Sequence, residues 1–420
     1  MRFALLFFIL LLSSTGALTQ SVEPVMAQAR VQKAPLLDTL KELVSIESHS
    51  RDLEGLERIA QLVAGRLKGL GGEVELVEPA DVYRMEDTPE RVGRMVRATF
   101  KGSGTKRILL IAHMDTVYPR GLLAKQPLRV DGERAFGLGI SDDKQGIAVI
   151  LHTLAMLRTL GFRDYGTLTV LINADEELSS PGSRSLLTRL GAEHDATLSF
   201  EASRIESDKI ALATAGIASV ALKVHGKASH AGAAPQLGVN ALYELSHQIL
   251  QTRDLSNPAT GLKMNWTLSR AGMSRNVIPP AAEAMADVRV LRVADYDGIE
   301  QAVRERIKKQ LIPEAKVEMI FERRRPPLEA SPASAAMAKH AQAIYKELGK
   351  ELVADAVAEG GGTDAAFAAL KTRNAVVERF GLRGFGAHST DDEYVLVSSI
   401  EPRLYLAARL VMDLAGDRMR

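Results

Sequence analysis

The stretch "RILLIAHMDTVYPRG", residues 107–121, decides the fold. Ile108 to Ala112 form a near-continuous apolar run, the pattern of a strand covered on both faces in a parallel sheet. The run breaks off in His113 and Asp115. Two positions apart on an extended chain, they face one side. Open parallel sheets bind ligands just beyond the carboxyl ends of their strands. A histidine and an acid at such an end are therefore candidate site residues.

Working outward, the same texture recurs. "KQGIAVILHTLAMLRTLG", residues 144–161, has the spacing of a strong helix ending at Gly161. "GTLTVLINADEE" (166–177) and "HDATLSFEAS" (194–203) read as further buried strands. Residues 36–47 and 54–70 have helical spacing, and "GEVELVEP" and "GRMVRATFKG" alternate like strands. Strands alternating with helices imply an α/β architecture with much parallel sheet. Near residue 215 the texture changes to strand, helix, two strands, helix and strand, a compact α+β pattern. "RRRPPLEASP" then reads as a linker, and helices return from 333, with one over 398–414. The organisation expected is one large domain in two parts, 30–214 and 326–420, interrupted by an insert over 215–325.

The chain has 420 residues, enough for two domains, and its 53 basic and 52 acidic residues leave a net charge of +1. That balance argues against nucleic acid or an anionic membrane as partner. The absence of cysteine excludes disulfides, thiol catalysis and thiolate metal sites. "MRFALLFFILLLSSTGALTQ" reads as an export signal within residues 1–29, with Arg2 ahead of an apolar core too short to span a bilayer comfortably. Cleavage is expected after Ala17 or Ala29. The mature protein is expected to be periplasmic or secreted, with no membrane attachment.

The acids and histidines cluster where strands end. His113 and Asp115 follow one strand, Glu176 and Glu177 a second, and Glu201 a third. Asp142 and Asp143 lie in "GISDDKQG" and His388 in "GAHSTDDEY". A mixed set of imidazoles and carboxylates suits zinc or a similar divalent ion. It holds one carboxylate too many for a single zinc. Two ions roughly 3.5–4 Å apart would use them all. Adjacent Glu176 and Glu177 point different ways on an extended chain, so one can bind metal while the other faces a water. His152, inside the 144–161 helix, reads as core packing.

"HMDTV", "GISDDKQG", "DEE", "SFE", "GKASHAGAAP", "GGGTDA" and "GAHSTDDEY" stand in the order found in the co-catalytic dizinc exopeptidases. That family includes glutamate carboxypeptidase, aminoacylase, succinyl-diaminopimelate desuccinylase and acetylornithine deacetylase. The resemblance covers about residues 36–415, and the chain looks most like the secreted bacterial branch that cleaves folates. It implies a large, mostly parallel-sheet domain (phosphorylase/hydrolase-like) with an inserted ferredoxin-like α+β dimerisation domain. It also implies two zinc ions per subunit, bridged by Asp142. His113 and Glu201 would complete one ion, and Glu177 and His388 the other. Glu176 would be the general base, and a cis peptide would follow Asp142. Asp115 would stand behind His113 and orient its imidazole without touching metal.

The resemblance further implies a homodimer in which His230 reaches the partner's site and stabilises an oxyanion. Asn276 and Arg325 match positions that hold a substrate's terminal carboxylate, with Arg323 and Arg324 as rivals and Arg289 as a weaker candidate. The Gly360–Gly362 run, centred on Gly361, matches a loop whose backbone approaches the substrate. Glu201 favours the carboxypeptidase and deacylase branches, since the dipeptidase branches tend to carry Asp there. Gln145 departs from a glycine common at that position. The implied activity is hydrolysis of the amide before a C-terminal residue, glutamate above all, in small peptide-like substrates with a free carboxylate. The rivals are an N-acyl-amino-acid deacylase or dipeptidase on the same site, and an exported zinc- or solute-binding protein.

Overall fold

The computed structural model describes residues 21–419. The export-signal reading of residues 1–20 and a cut after Ala17 lie outside the described residues. A six-stranded sheet forms the frame. Its order is Glu73–Val77, Met95–Lys101, Thr167–Asn173, Arg107–His113, Ala196–Ser199 and Ala375–Val377. The four strands from Thr167–Asn173 onward pair in parallel, and the first three pair antiparallel. The expected α/β class with a mostly parallel sheet is the class found.

Register explains why the site assembles. His113 pairs with Asn173, and Ile111 pairs with Ser199. Three neighbouring parallel strands therefore end together, and the residues that follow each one share a single edge of the sheet.

Helices Glu23–Val44, Gln145–Thr159, Pro332–Lys346 and Ile400–Ala415 contribute to one core with the sheet. The first starts well ahead of the expected residue 36. Proline commonly bounds a helix, yet Pro35 sits inside this one. A proline there forfeits one backbone hydrogen bond. Burial of Val25, Met26, Ala29, Leu36 and Leu40 on one face outweighs that loss. A cut after Ala29 would remove three of these core residues. Helix Gln145–Thr159 is buried over most of its length, His152 included. His152 lies 2.9 Å from Thr39 Oγ1 and 2.6 Å from Gln32 Oε1, so it belongs to the packing, as read from sequence.

Residues 216–325 form an antiparallel sheet ordered Lys263–Ala271, Ala281–Val290, Gly216–His225, Lys316–Arg325. Helices Ala241–Thr252 and Asp295–Arg306 complete its two cores. Counted along the chain this order is 2-3-1-4, the ferredoxin-like arrangement. The arginine triplet is not linker: Arg323–Arg325 end the last strand, where Arg325 pairs with Ile217.

A five-stranded sheet was not expected from sequence. It runs Arg129–Asp131, Arg134–Phe136, Tyr394–Leu396, Arg383–Phe385, Ser203–Arg204. Its strands of two or three residues are too short to show a period. The connection between Arg383–Phe385 and Tyr394–Leu396 carries His388 and brings it to the edge where the parallel strands end. No helix among the described residues is long and apolar enough to cross a membrane.

Candidate active site

Two donor triads meet at Asp142. In each, one ligand atom from every residue lies within 4.8 Å of the others: His113, Asp142 and Glu201 in one, Asp142, Glu177 and His388 in the other. Asp142 uses a different oxygen for each. Its Oδ1 is 2.9 Å from His113 Nε2, and its Oδ2 is 3.3 Å from His388 Nε2. Glu201 Oε1 is 3.3 Å from His113 Nε2, and Glu177 Oε2 is 3.2 Å from His388 Nε2. The peptide Asp142–Asp143 is cis. His388 stands in the left-handed region at φ 67°, an uncommon conformation for a non-glycine residue.

The electrostatics of these groups ask for positive charge. Burial resists a charge on His113, but Asp115, Asp142 and Glu201 outweigh it and hold the imidazole well above its usual range. Asp142 and Glu177 raise His388 in the same way. Burial and then the Asp142 charge push Glu177 up to about 7. Glu177 Oε1 is buried with no hydrogen-bond partner. A buried, unpartnered carboxylate oxygen is costly unless a cation meets it. Hard oxygen donors and imidazole nitrogens in two triads sharing one carboxylate fit two divalent ions.

Asp115 sits behind this centre and is fully buried. His113 Nδ1 donates toward it, 3.1 Å from its carbonyl and 3.3 Å from Oδ1. The same carboxylate accepts the backbone N–H of Glu176 on Oδ1 and of Glu177 on Oδ2, each at 3.1 Å, and the Ser50 hydroxyl at 2.7 Å. One side chain thus fixes the His113 ring and the turn that carries both glutamates. Ser50 gave no signal in sequence.

Two further anchors lie inside quoted motifs without having been singled out. Glu393 of "GAHSTDDEY" is buried and accepts from Gly139 N (2.9 Å), Ser141 N (2.8 Å), Asp142 N (3.1 Å) and the Tyr118 hydroxyl (2.5 Å). Tyr118 also reaches the Ser389 carbonyl, so Glu393 ties the Asp142 loop to the His388 loop. Burial pushes the Glu393 carboxyl up to about 7, against the pull of these donors. Asp364 of "GGGTDA" accepts from Asn173 Nδ2 at 2.6 Å and from Arg325 Nη1 at 3.2 Å.

Arg325 lies at the same centre as the donor triads. Its guanidinium is buried, donating to the Glu176 carboxylate and carbonyl and to Asp364. It grips the candidate base and also lines the cavity, with Nε–H and one Nη2 N–H not spent on these partners. Its neighbours are settled too: Arg323 pairs with Asp297 and Glu300, and Arg324 with Asp87 and Glu322. Arg289 lines the same cavity of about 640 Å³ as Asp142, Glu176, Glu177 and His388. It bonds Asp287 and, at 2.9 Å, the Gly360 carbonyl. Gly361 also lines the cavity. The close approach in that loop falls at Gly362, where a Cβ would come 2.5 Å from Arg325 Cδ. The neighbour that requires the glycine is thus Arg325. Gln145 is helical at φ −65° and needs no glycine; its amide bonds Asp143, the Phe200 carbonyl and Leu382 N.

His230 and Asn276 lie together but outside this cavity. His230 bridges Val277, and Ala231 N donates to the Asn276 carbonyl at 2.9 Å. Both are exposed, and Leu237, Met273 and Val277 add exposed apolar surface in the same region of chain.

Residues 109–413 match peptidase family M20/M25/M40. The chain is 45% identical over 403 residues to carboxypeptidase G2 of Pseudomonas sp. (strain RS-16), covering 96% of this chain and 95% of that one. It is 28% identical over 251 residues to acetylornithine deacetylase of Proteus mirabilis (strain HI4320), covering 56% and 60%. Among solved structures, an M20 family metallo-carboxypeptidase of Sulfolobus solfataricus shares the fold with TM-score 0.72 at 15% identity, over 91% of this chain and 99% of that one.

Proposed function

From the premise that the chain belongs to peptidase family M20/M25/M40, we propose that it is a zinc carboxypeptidase that releases C-terminal glutamate from N-acyl-glutamates and folate-like conjugates. The chain is a metallopeptidase of that family. The observation that carries the reading is the pair of donor triads sharing Asp142, with an unligated carboxylate, Glu176, in the same cavity.

In this reading His113 and Glu201 would hold one zinc ion, Glu177 and His388 the other, and Asp142 would serve both. The ions, when bound, supply Lewis-acid polarisation of the scissile carbonyl and lower the pKa of water. Glu176 takes a proton from the attacking water and returns it to the leaving amine nitrogen. Arg325 and Asp364 hold Glu176 in position, and Asp115 holds the backbone on which it turns. Arg289, in the cavity wall, receives the α-carboxylate of the substrate, and the Gly361 loop forms the adjoining surface.

The unit 215–325 mediates homodimerisation, and a second copy of the chain brings His230 and Asn276 to the cavity. Their exposure and their place outside the cavity of their own chain support this. From the partner, His230 would hydrogen-bond the developing oxyanion. The signal within residues 1–29 directs the enzyme to the periplasm or outside the cell.

The test is a substrate panel on the zinc-loaded protein: benzoyl- and folyl-glutamate against acetyl-amino acids and dipeptides. Glutamate conjugates are expected to turn over fastest. Turnover of acetyl-amino acids with glutamate conjugates untouched would replace this reading with a deacylase.

A further inference from the structure

The cavity does not end at the donor triads. It continues along the chain past Glu201 to Arg204, which lies in the short strand Ser203–Arg204 beside Arg383–Gly384. Arg204 stands three positions after Glu201, a span of about 10 Å at most. Arg379 reaches the same wall. Its backbone is in the left-handed region at φ 73°, a conformation that in a non-glycine residue costs energy and is found chiefly where surrounding structure or function demands it.

Both guanidiniums converge on one oxygen. Arg204 Nη2 and Arg379 Nη2 each meet Glu359 Oε2, the latter at 3.3 Å, while Lys209 Nζ lies 3.5 Å from Asp355 Oδ2 and 3.8 Å from Glu359 Oε1. One carboxylate oxygen thus serves both guanidiniums, with Lys209 shared between Glu359 and Asp355. Arg379 spends Nη1 on the Ala202 carbonyl at 3.2 Å. Arg204 has no other side-chain hydrogen bond among the described residues. Its side chain is 43% exposed and opens into the cavity. A guanidinium carries five N–H donors arranged to grip a carboxylate through two of them. The donors here outnumber the acceptors, and Arg204 has the larger unspent share.

Cations therefore stand at two places in the lining of one cavity: Arg289 on the strand Ala281–Val290, bonded to the Gly360 carbonyl, and Arg204 with Arg379, paired with the adjoining Glu359. Arg325 also lines the cavity, but it pairs with Glu176 and Asp364. A released residue with two carboxylates matches this arrangement. A residue with a neutral side chain would leave the Arg204 donors to water.

We propose that Arg204 and Arg379 form the subsite for the side-chain carboxylate of the released residue, with Glu359 as the resident anion that holds the two guanidiniums ready. This rests on the glutamate carboxypeptidase reading and names the residues that select the acidic side chain. Entry of the substrate carboxylate draws Arg204 partly away from Glu359.

The zinc-loaded enzyme is assayed on N-benzoyl-glutamate and on N-benzoyl-glutamine, which has the same size without the charge. The readout is the ratio of their kcat/KM values. The parent is expected to favour the glutamate conjugate by at least about tenfold, and Arg204→Gln to lower that ratio about three- to fivefold, the upper range for a half-exposed ion pair. The parent's preference should also shrink as salt is raised from about 0.05 M to about 0.5 M. Glu359→Gln removes the competing anion and is expected to lower KM for the glutamate conjugate. A parent that prefers glutamate, with a ratio unchanged within about twofold in Arg204→Gln, overturns the subsite while the glutamate reading stands. A parent that hydrolyses both conjugates equally overturns the glutamate reading and the subsite with it.

Discussion

Replacing Asp115 by asparagine should weaken both the fold around the site and the hold on metal, because no orientation of the new amide satisfies its neighbours. The carboxylate accepts Glu176 N on Oδ1 and Glu177 N on Oδ2, each at 3.1 Å. An asparagine has one oxygen to offer. Whichever way it turns, its NH2 faces one of the two backbone N–H groups. That group is left without an acceptor in a fully buried place, at a cost of about 1–3 kcal/mol. The Ser50 hydroxyl can rotate to accept and is not lost. The surviving bonds also weaken when the acceptor is neutral. Relief of the buried charge offsets part of this. The net loss is on the order of 2 kcal/mol, a large share of the roughly 5–15 kcal/mol that holds a domain together. His113 keeps the Asp115 carbonyl at 3.1 Å but loses the carboxylate behind its ring. Loss of such a partner lowers metal affinity about 10- to 100-fold. Urea unfolding of the metal-free protein reads the first effect. Competition for zinc against a chelator of known affinity reads the second. If Asp115→Asn unfolded within about 0.5 kcal/mol of the parent and bound zinc within about twofold, Asp115 would not be the anchor described.

Glu393→Gln presents an amide to three backbone donors and should release zinc to a chelator about tenfold more readily, with the far-ultraviolet circular dichroism of the parent; unchanged zinc retention would mean that Glu393 does not tie the Asp142 and His388 loops together. Burial lowers His152 to about 4 from 6.5. A histidine lowered on folding contributes stability above pH 6.5 that is lost as pH falls from about 6.5 through about 4, by about 3 kcal/mol at most. Thermal unfolding against pH should show this loss in the parent and not in His152→Gln; parallel curves would assign the acid sensitivity elsewhere. Finally, Glu176→Gln should keep zinc and lose turnover, and His230→Ala should keep zinc and lose about 100-fold or more. Mixing the two variants should restore activity, because the mixed dimer has one site with Glu176 and a partner His230. No restoration on mixing would place His230 outside the partner's site.

Much of the candidate site was legible because it is written at strand ends. His113, Glu176, Glu177 and Glu201 each interrupt or follow an apolar run, and apolar runs are the strongest local signal of a buried strand. His113 and Asp115 could be placed on one side from spacing alone. Asp364 and Glu393 were visible only as members of quoted motifs, because nothing local distinguishes an anchoring acid from a solvated one. The five-stranded sheet was not legible: two- and three-residue strands draw their stability from neighbours distant in sequence. Helix Glu23–Val44 showed helical spacing only from residue 36; Pro35 is a local stop signal that burial against the rest of the core overrides.

By itself the sequence determined which residue types are available and in what order: buried parallel strands, acids and histidines at their ends, an α+β insert, and no thiol chemistry. These follow from local pattern, since period and composition act over a few residues. The tertiary structure alone decided how charged groups are partnered. Arg323, Arg324 and Arg325 are indistinguishable in sequence, yet one faces a helix, one a distant loop and one the candidate base. Alternating side-chain direction on a strand turns neighbours to different surroundings, and a buried guanidinium takes whatever carboxylate the fold presents to it. For the same reason the Arg204 and Arg379 pair, 175 positions apart in the chain, meets at one oxygen only once the sheets are formed.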